Sequence, residues 1–160
     1  MGADKLFTPE PALWSGTCAF RLMPDHELNP LPSTAATTMV AEGVAWTLAY
    51  VWLHPDDGVQ EGHLLVGGPA EDGSVSAAWV DSWHQKDEIA SLHGTNRCPD
   101  AGDGVITLEM EYSGWGWRIE VERAEQVLRM RMDNVIPAGV EGAEPGPYRV
   151  MDATWEPSRR

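Results

Sequence analysis

Asp81 and His84 stand three residues apart in the segment Trp79-Val80-Asp81-Ser82-Trp83-His84, and they are the groups in this chain best suited to chemistry. A carboxylate beside an imidazole orients the ring and stabilises its protonated form, which is what an acid–base pair needs. The same two groups form part of a metal ligand set. Alternate residues of a strand share a face, so Asp81 shares one with Trp79 and Trp83. His84 then faces away, unless a bend at Ser82 brings the two together at the end of a strand. A carboxylate placed among indole rings must be paired, hydrogen-bonded or protonated. Two uses remain open for Asp81. It orients a ligand or acts as a base, or it caps a turn over Ser82 to Gln85 or accepts an indole N–H.

The remaining reactive residues are scattered. His63 and His93 fall in mid-strand positions that could face inward. With Asp81 and His84 they would suffice for zinc, but no HxH, HxxxH or HExxH spacing joins them, so no metal is expected. Cys18 shares an inward face with Gly16 and Phe20 and reads as a small buried hydrophobe with no base beside it. Cys98 precedes Pro99 in a loop. Two cysteines are too few for a disulfide scaffold, and a Cys18–Cys98 bridge is not expected in the cytoplasmic setting read below.

The elements that must hold these residues are strands. Period-two alternation recurs along the chain, bounded by Gly, Pro and Asp. Strands are expected at 14–23, 35–42, 45–53, 60–67, 74–83, 88–96, 105–112, 115–124, 126–135 and 148–156. Trp46, Leu48, Tyr50 and Trp52 share one face; Trp115, Trp117, Ile119 and Val121 share another. His54-Pro55-Asp56-Asp57-Gly58 and Ser113-Gly114 read as hairpin turns. The three-proline stretch 24–32, the segment 98–104 and the Gly/Pro/Glu-rich stretch 137–147 read as loops. Room for helix is confined to 24–32, 82–89, where Ser82 could cap a turn, and 137–147. About ten short strands, each with one wet face and mostly tight turns, are best hidden in an all-β, closed antiparallel up-and-down barrel. A sandwich is the competing arrangement.

Composition bounds the function. The chain has 160 residues, 42% of them apolar, which is enough for one globular domain over 1–160, with 1–11 as an N-terminal tail. Acidic residues number 25 and basic ones 11, a formal charge of −14. That excess opposes nucleic acid and anionic lipid. No stretch approaches the roughly 18 apolar residues of a membrane span, and the first residues lack a signal-peptide core. A cytoplasmic protein, monomeric or homodimeric, is expected. Glu109, Glu111, Glu120 and Glu122 read as a solvated outer face, and Arg129 and Arg131 as outward-facing.

Eight tryptophans complete the pattern. The Trp14-Ser15-Gly16 opening, the ten-strand meander, the segment Trp79–His84 and a closing strand with Met151 and Trp155 resemble a bacterial calycin-like family of uncharacterised proteins. Lipocalins, fatty-acid-binding proteins and nitrobindins share that barrel. The resemblance implies a ten-stranded barrel with an internal cavity and brings no assigned activity. The haem-binding histidine of nitrobindins, near the C-terminus, has no counterpart after His93, and the inward arginines of fatty-acid binders have no evident match.

Three functions are expected on these grounds. In the first, the barrel binds a small apolar or aromatic ligand. Trp46, Tyr50, Trp79, Trp83, Trp115, Trp117 and Met130 form the walls, and Asp81 and His84 are the polar anchors. In the second, the same cavity is catalytic through an Asp81/His84 pair. In the third, the rings plug the barrel and the function lies on its surface. No cofactor is expected; haem on His63 or His93 is a minor option.

Overall fold

Alternation of apolar and polar residues folds this chain into a closed barrel of ten antiparallel strands. The computed structural model describes residues 12–85, 87–100 and 103–159, without the side chains of 98–100. The expected 1–11 tail, Lys86 and the Cys98 side chain therefore lie outside the described residues.

The strands are β1 (Ala12–Phe20), β2 (Asn29–Val40), β3 (Ala45–His54), β4 (Gly58–Gly67) and β5 (Ser74–Asp81). They continue as β6 (Ala90–Asp100), β7 (Asp103–Tyr112), β8 (Trp115–Ala124), β9 (Val127–Ile136) and β10 (Gly146–Pro157). Each strand pairs with its sequence neighbours, and β1 also pairs with β10, so no edge is left open. The 41–43 segment forms a single 3-10 turn.

The inward faces follow the expected parity. Trp46, Leu48, Tyr50 and Trp52 of β3 are buried, as are Ile119 and Val121 of β8 and Leu128, Met130 and Met132 of β9. These side chains belong to one contiguous apolar cluster. Trp14 and Trp155 are part of it, and their indole N–H groups donate to Thr37 Oγ1 and Ser33 Oγ, each at 2.9 Å. Gly16 pairs with Trp155, and a Cβ at Gly16 would collide with the Thr154 carbonyl. The close approach of β1 to β10 therefore explains the glycine of the Trp-x-Gly opening.

Several sequence expectations are corrected. The segment 24–32 is not all loop, because β2 starts at Asn29 and includes Pro30 and Pro32. Both prolines pair with β1, whereas the β2–β3 ladder begins only at Thr34. A strand segment bonded on one side tolerates residues without an N–H. β6 and β7 extend into the expected 98–104 loop. β5 stops at Asp81 instead of running to Trp83. His63 and His93 are exposed on the outer face, since Gly62 and Leu64 take the inward positions of β4 and Leu92 that of β6. Neither histidine can ligate a metal or haem inside the barrel. The acidic outer face is partly paired: Arg131 bonds Glu120 at 2.7 Å and Glu122 at 3.0 Å, and Arg129 lies 3.7 Å from Glu122. Arg129 and Arg131 thus point outward, as expected.

Five connections share one rim: β1–β2, β3–β4, β5–β6, β7–β8 and β9–β10. The segment carrying Asp81 and His84 lies on that rim.

Candidate functional site

The site begins with a row of three residues across three strands. Tyr50 of β3 pairs with Gly62 of β4, and Gly62 pairs with Asp81 of β5. A Cβ at Gly62 would fall on the Tyr50 ring. With none there, the ring lies over β4 and donates its hydroxyl proton to Asp81 Oδ2 at 2.8 Å. Trp52 Nε1 donates to the same oxygen at 3.2 Å, and Trp79 Nε1 donates to the Tyr50 oxygen at 2.9 Å.

The second carboxylate oxygen organises the turn. Asp81 Oδ1 accepts from the backbone N–H of Trp83 at 2.9 Å and of His84 at 3.0 Å. Gln85 N–H bonds the Asp81 carbonyl at 3.0 Å. Asp81, rather than Ser82, is therefore the capping residue. The Ser82 hydroxyl instead accepts from Glu61 N–H at 3.0 Å and donates to Gln60 Oε1 at 2.7 Å. Each purpose weighed for Asp81 as a structural group, turn cap and indole acceptor, is met.

The turn also carries His84 back over the barrel. Its Nδ1 lies 3.0 Å from Asp81 Oδ1. That oxygen sits off the ring N–H direction, so the pair is a close approach without an aligned hydrogen bond, and neither ring nitrogen has a well-aligned partner among the described residues. Asp81 is wholly buried. Burial pushes its carboxyl up, but the imidazole of His84, the His84 charge and backbone N–H, and the Tyr50 hydroxyl outweigh that and hold it below the usual carboxylate range. Burial, and then the Asp81 charge, push the Tyr50 hydroxyl well up, so it stays a donor.

Aromatic rings enclose His84. The ring centroids of Trp83, Trp117, Trp79, Trp52 and Phe20 lie between 5.0 and 5.8 Å from its own. Trp79 and Trp117 stack at 5.5 Å and 14°. Trp83 stacks on His54 at 4.9 Å and 19°, and its N–H donates to Asp57 at 2.8 Å. The β3–β4 hairpin thus holds Trp83 in place. His54 Nδ1 accepts the backbone N–H groups of Asp56 and Asp57, which fixes that hairpin.

A cleft of about 410 Å³ opens over these rings, lined by Trp79, Trp83, His84, Trp117, Met110, Leu22 and Val150 among others. It adjoins a larger cleft of about 970 Å³ beneath the β9–β10 connection, and Leu22, Tyr112, Ser113, Asn134 and Tyr148 line both. Polar side chains brace the shared wall. Tyr112 donates to Asn134 Oδ1 at 2.5 Å, Asn134 Nδ2 donates to Tyr148 at 3.1 Å, and Tyr148 donates to the Leu22 carbonyl at 3.0 Å.

The expected site residues separate into groups. Trp79, Trp83, His84 and Trp117 come together in the smaller cleft, and Trp115 lines the larger one. Tyr50 and Asp81 sit directly behind, bonded to the cleft wall. Trp46 and Met130 are fully buried in the core and line neither cleft. Trp52, Gly62 and the Tyr112–Asn134–Tyr148 brace join the site from outside the expected set. Trp52 shares strand parity with Tyr50, which was a usable signal; the other members depend on register between strands.

Cys18 is a free, buried thiol, and burial, followed by the charges of Asp152 and Asp81, pushes it up to about 12. It is thus held as the protonated, unreactive form. Among the described residues, no three His, Cys, Asp or Glu side chains cluster as a metal site. No described helix is long and apolar enough to cross a membrane. No protein-family model matches the chain, and no curated protein matches it.

Proposed function

We propose that this protein is a calycin-type barrel that binds a small, planar, largely apolar molecule at its mouth. The carrying observation is the cleft of about 410 Å³ walled by Trp79, Trp83 and Trp117. Flat indole walls in a half-enclosed cleft suit a ring system better than a charged group. The ligand rests on top of the packed core, with Asp81 and His84 beneath it. The calycin assignment is supported by the closed ten-strand order and by the close β1–β10 contact at Gly16.

N-phenyl-1-naphthylamine, neutral and planar, is a suitable probe. Titration should give saturable energy transfer from tryptophan with a Kd on the order of micromolar. A linear, unsaturable signal overturns the reading.

A catalytic reading has one observation in its favour, the 3.0 Å approach of His84 Nδ1 to Asp81 Oδ1. A carboxylate behind an imidazole is how a general base is oriented. Turnover of a small ester that disappears in His84→Gln, while N-phenyl-1-naphthylamine still binds, would favour it over binding alone.

A further inference from the structure

Four buried tryptophans of this barrel give their N–H groups to partners: Trp14 to Thr37, Trp52 to Asp81, Trp79 to Tyr50 and Trp155 to Ser33. Trp117 does not. Its Nε1 is buried with no hydrogen-bond partner among the described residues, and so is His84 Nε2. The two rings are neighbours, with centroids 5.2 Å apart, and both line the smaller cleft. Buried polar atoms without partners are rare and call for an explanation, and in a cleft wall a bound molecule can complete their bonding. Tyr112, Asn134 and Tyr148 of the adjoining wall are already engaged with one another.

The two atoms differ in kind. An indole nitrogen only donates. The Asp81 carboxylate beside His84 Nδ1 favours the proton on that nitrogen, which leaves Nε2 as an acceptor in the neutral ring. We propose that the cleft selects an uncharged planar molecule with a hydroxyl or ring-amide edge, whose donor meets His84 Nε2 and whose acceptor meets Trp117 Nε1–H. Both nitrogens lie just behind the cleft surface, so seating the ligand includes a small rotation of these rings. An anionic edge is disfavoured, because the buried Asp81 charge lies directly behind His84 and the whole chain carries −14. This inference rests on the binding function proposed above and specifies its ligand class.

Three matched probes test it by displacing N-phenyl-1-naphthylamine: 2-naphthol, 2-methoxynaphthalene and naphthalene-2-sulfonate. 2-Naphthol should bind about tenfold more tightly than its methyl ether, because the ether leaves His84 unpaired. The sulfonate should bind most weakly. His84→Phe should remove the preference for the hydroxyl, and Trp117→Phe, which keeps a ring and loses the N–H, should weaken naphthol and ether alike. Should His84→Phe not fold, the wild-type ratio and Trp117→Phe still decide. Equal binding of naphthol and ether would overturn the polar edge while leaving aromatic binding intact. Failure of N-phenyl-1-naphthylamine itself to bind would overturn both.

Discussion

Tyr50 on β3 donates its phenolic proton to Asp81 on β5 at 2.8 Å, across the full width of β4. A tyrosine and an aspartate separated by an intervening strand meet only where that strand offers no side chain. Gly62 supplies the gap, and the site is assembled around it.

Gly62→Ala should therefore displace the Tyr50 ring and cost about 1–3 kcal/mol, the usual range for overpacking a core. Tyr50→Phe should lose a comparable amount by leaving Asp81 short of one donor. The two losses should not add, because both break the same bond. Denaturant unfolding of the two single variants and the double variant measures this; full additivity would separate Gly62 from Tyr50.

Asp81→Asn should destabilise the barrel by about 2–4 kcal/mol at neutral pH, because an amide presents N–H groups to side chains that donate. The folded state holds Asp81 below its ordinary value, so its contribution is complete above the carboxylate range. It is lost as pH falls through that lowered value. The stability gap between wild type and Asp81→Asn should thus shrink as pH falls below about 4. A gap that widens below that pH would reverse the assignment.

Trp46→Phe and Trp83→Ala separate core from cleft. Trp46 lines neither cleft, so its variant should keep the affinity for N-phenyl-1-naphthylamine within about twofold, whereas Trp83→Ala should weaken it about tenfold or more. Matched titrations decide; the opposite ranking would place the ligand inside the barrel.

Cys18 should resist alkylation. In a Cys98→Ser background, iodoacetamide at pH 8 should leave the native protein unmodified and label it fully in denaturant, since the buried thiol is pushed up to about 12. Mass spectrometry reads the result, and rapid native labelling would contradict the burial.

The sequence makes the barrel legible because strand parity is local information. Trp46, Leu48, Tyr50 and Trp52 alternate in the chain, and they alternate between inside and outside in the fold. The pairing of Asp81 with His84 was legible only as a condition, a bend at Ser82. The bend occurs because Asp81 Oδ1 takes two successive backbone N–H groups. The histidines at 63 and 93 were misplaced because a short polar run such as Glu61-Gly62-His63 carries no parity signal until Leu64 fixes it. The expected placement of Trp46 and Met130 as cavity lining had a different origin. Parity says which face a residue takes, but not how far along the barrel the packing ends and the opening begins. Gly62 gave no sign of its role, since a strand glycine becomes meaningful only once its neighbours across two ladders are known.

The gap at Gly62 has a consequence for how the chain finds its structure. A one-residue slip of β4 would bring His63 or Glu61 under the Tyr50 ring and turn the apolar row of the strand outward. The phenol could then no longer reach Asp81, and the carboxylate would be buried short of a donor. The hydrogen bond between Tyr50 and Asp81 thus acts as a checksum on the alignment of three strands, and a barrel closed in the wrong register would be recognised by the charge it left stranded.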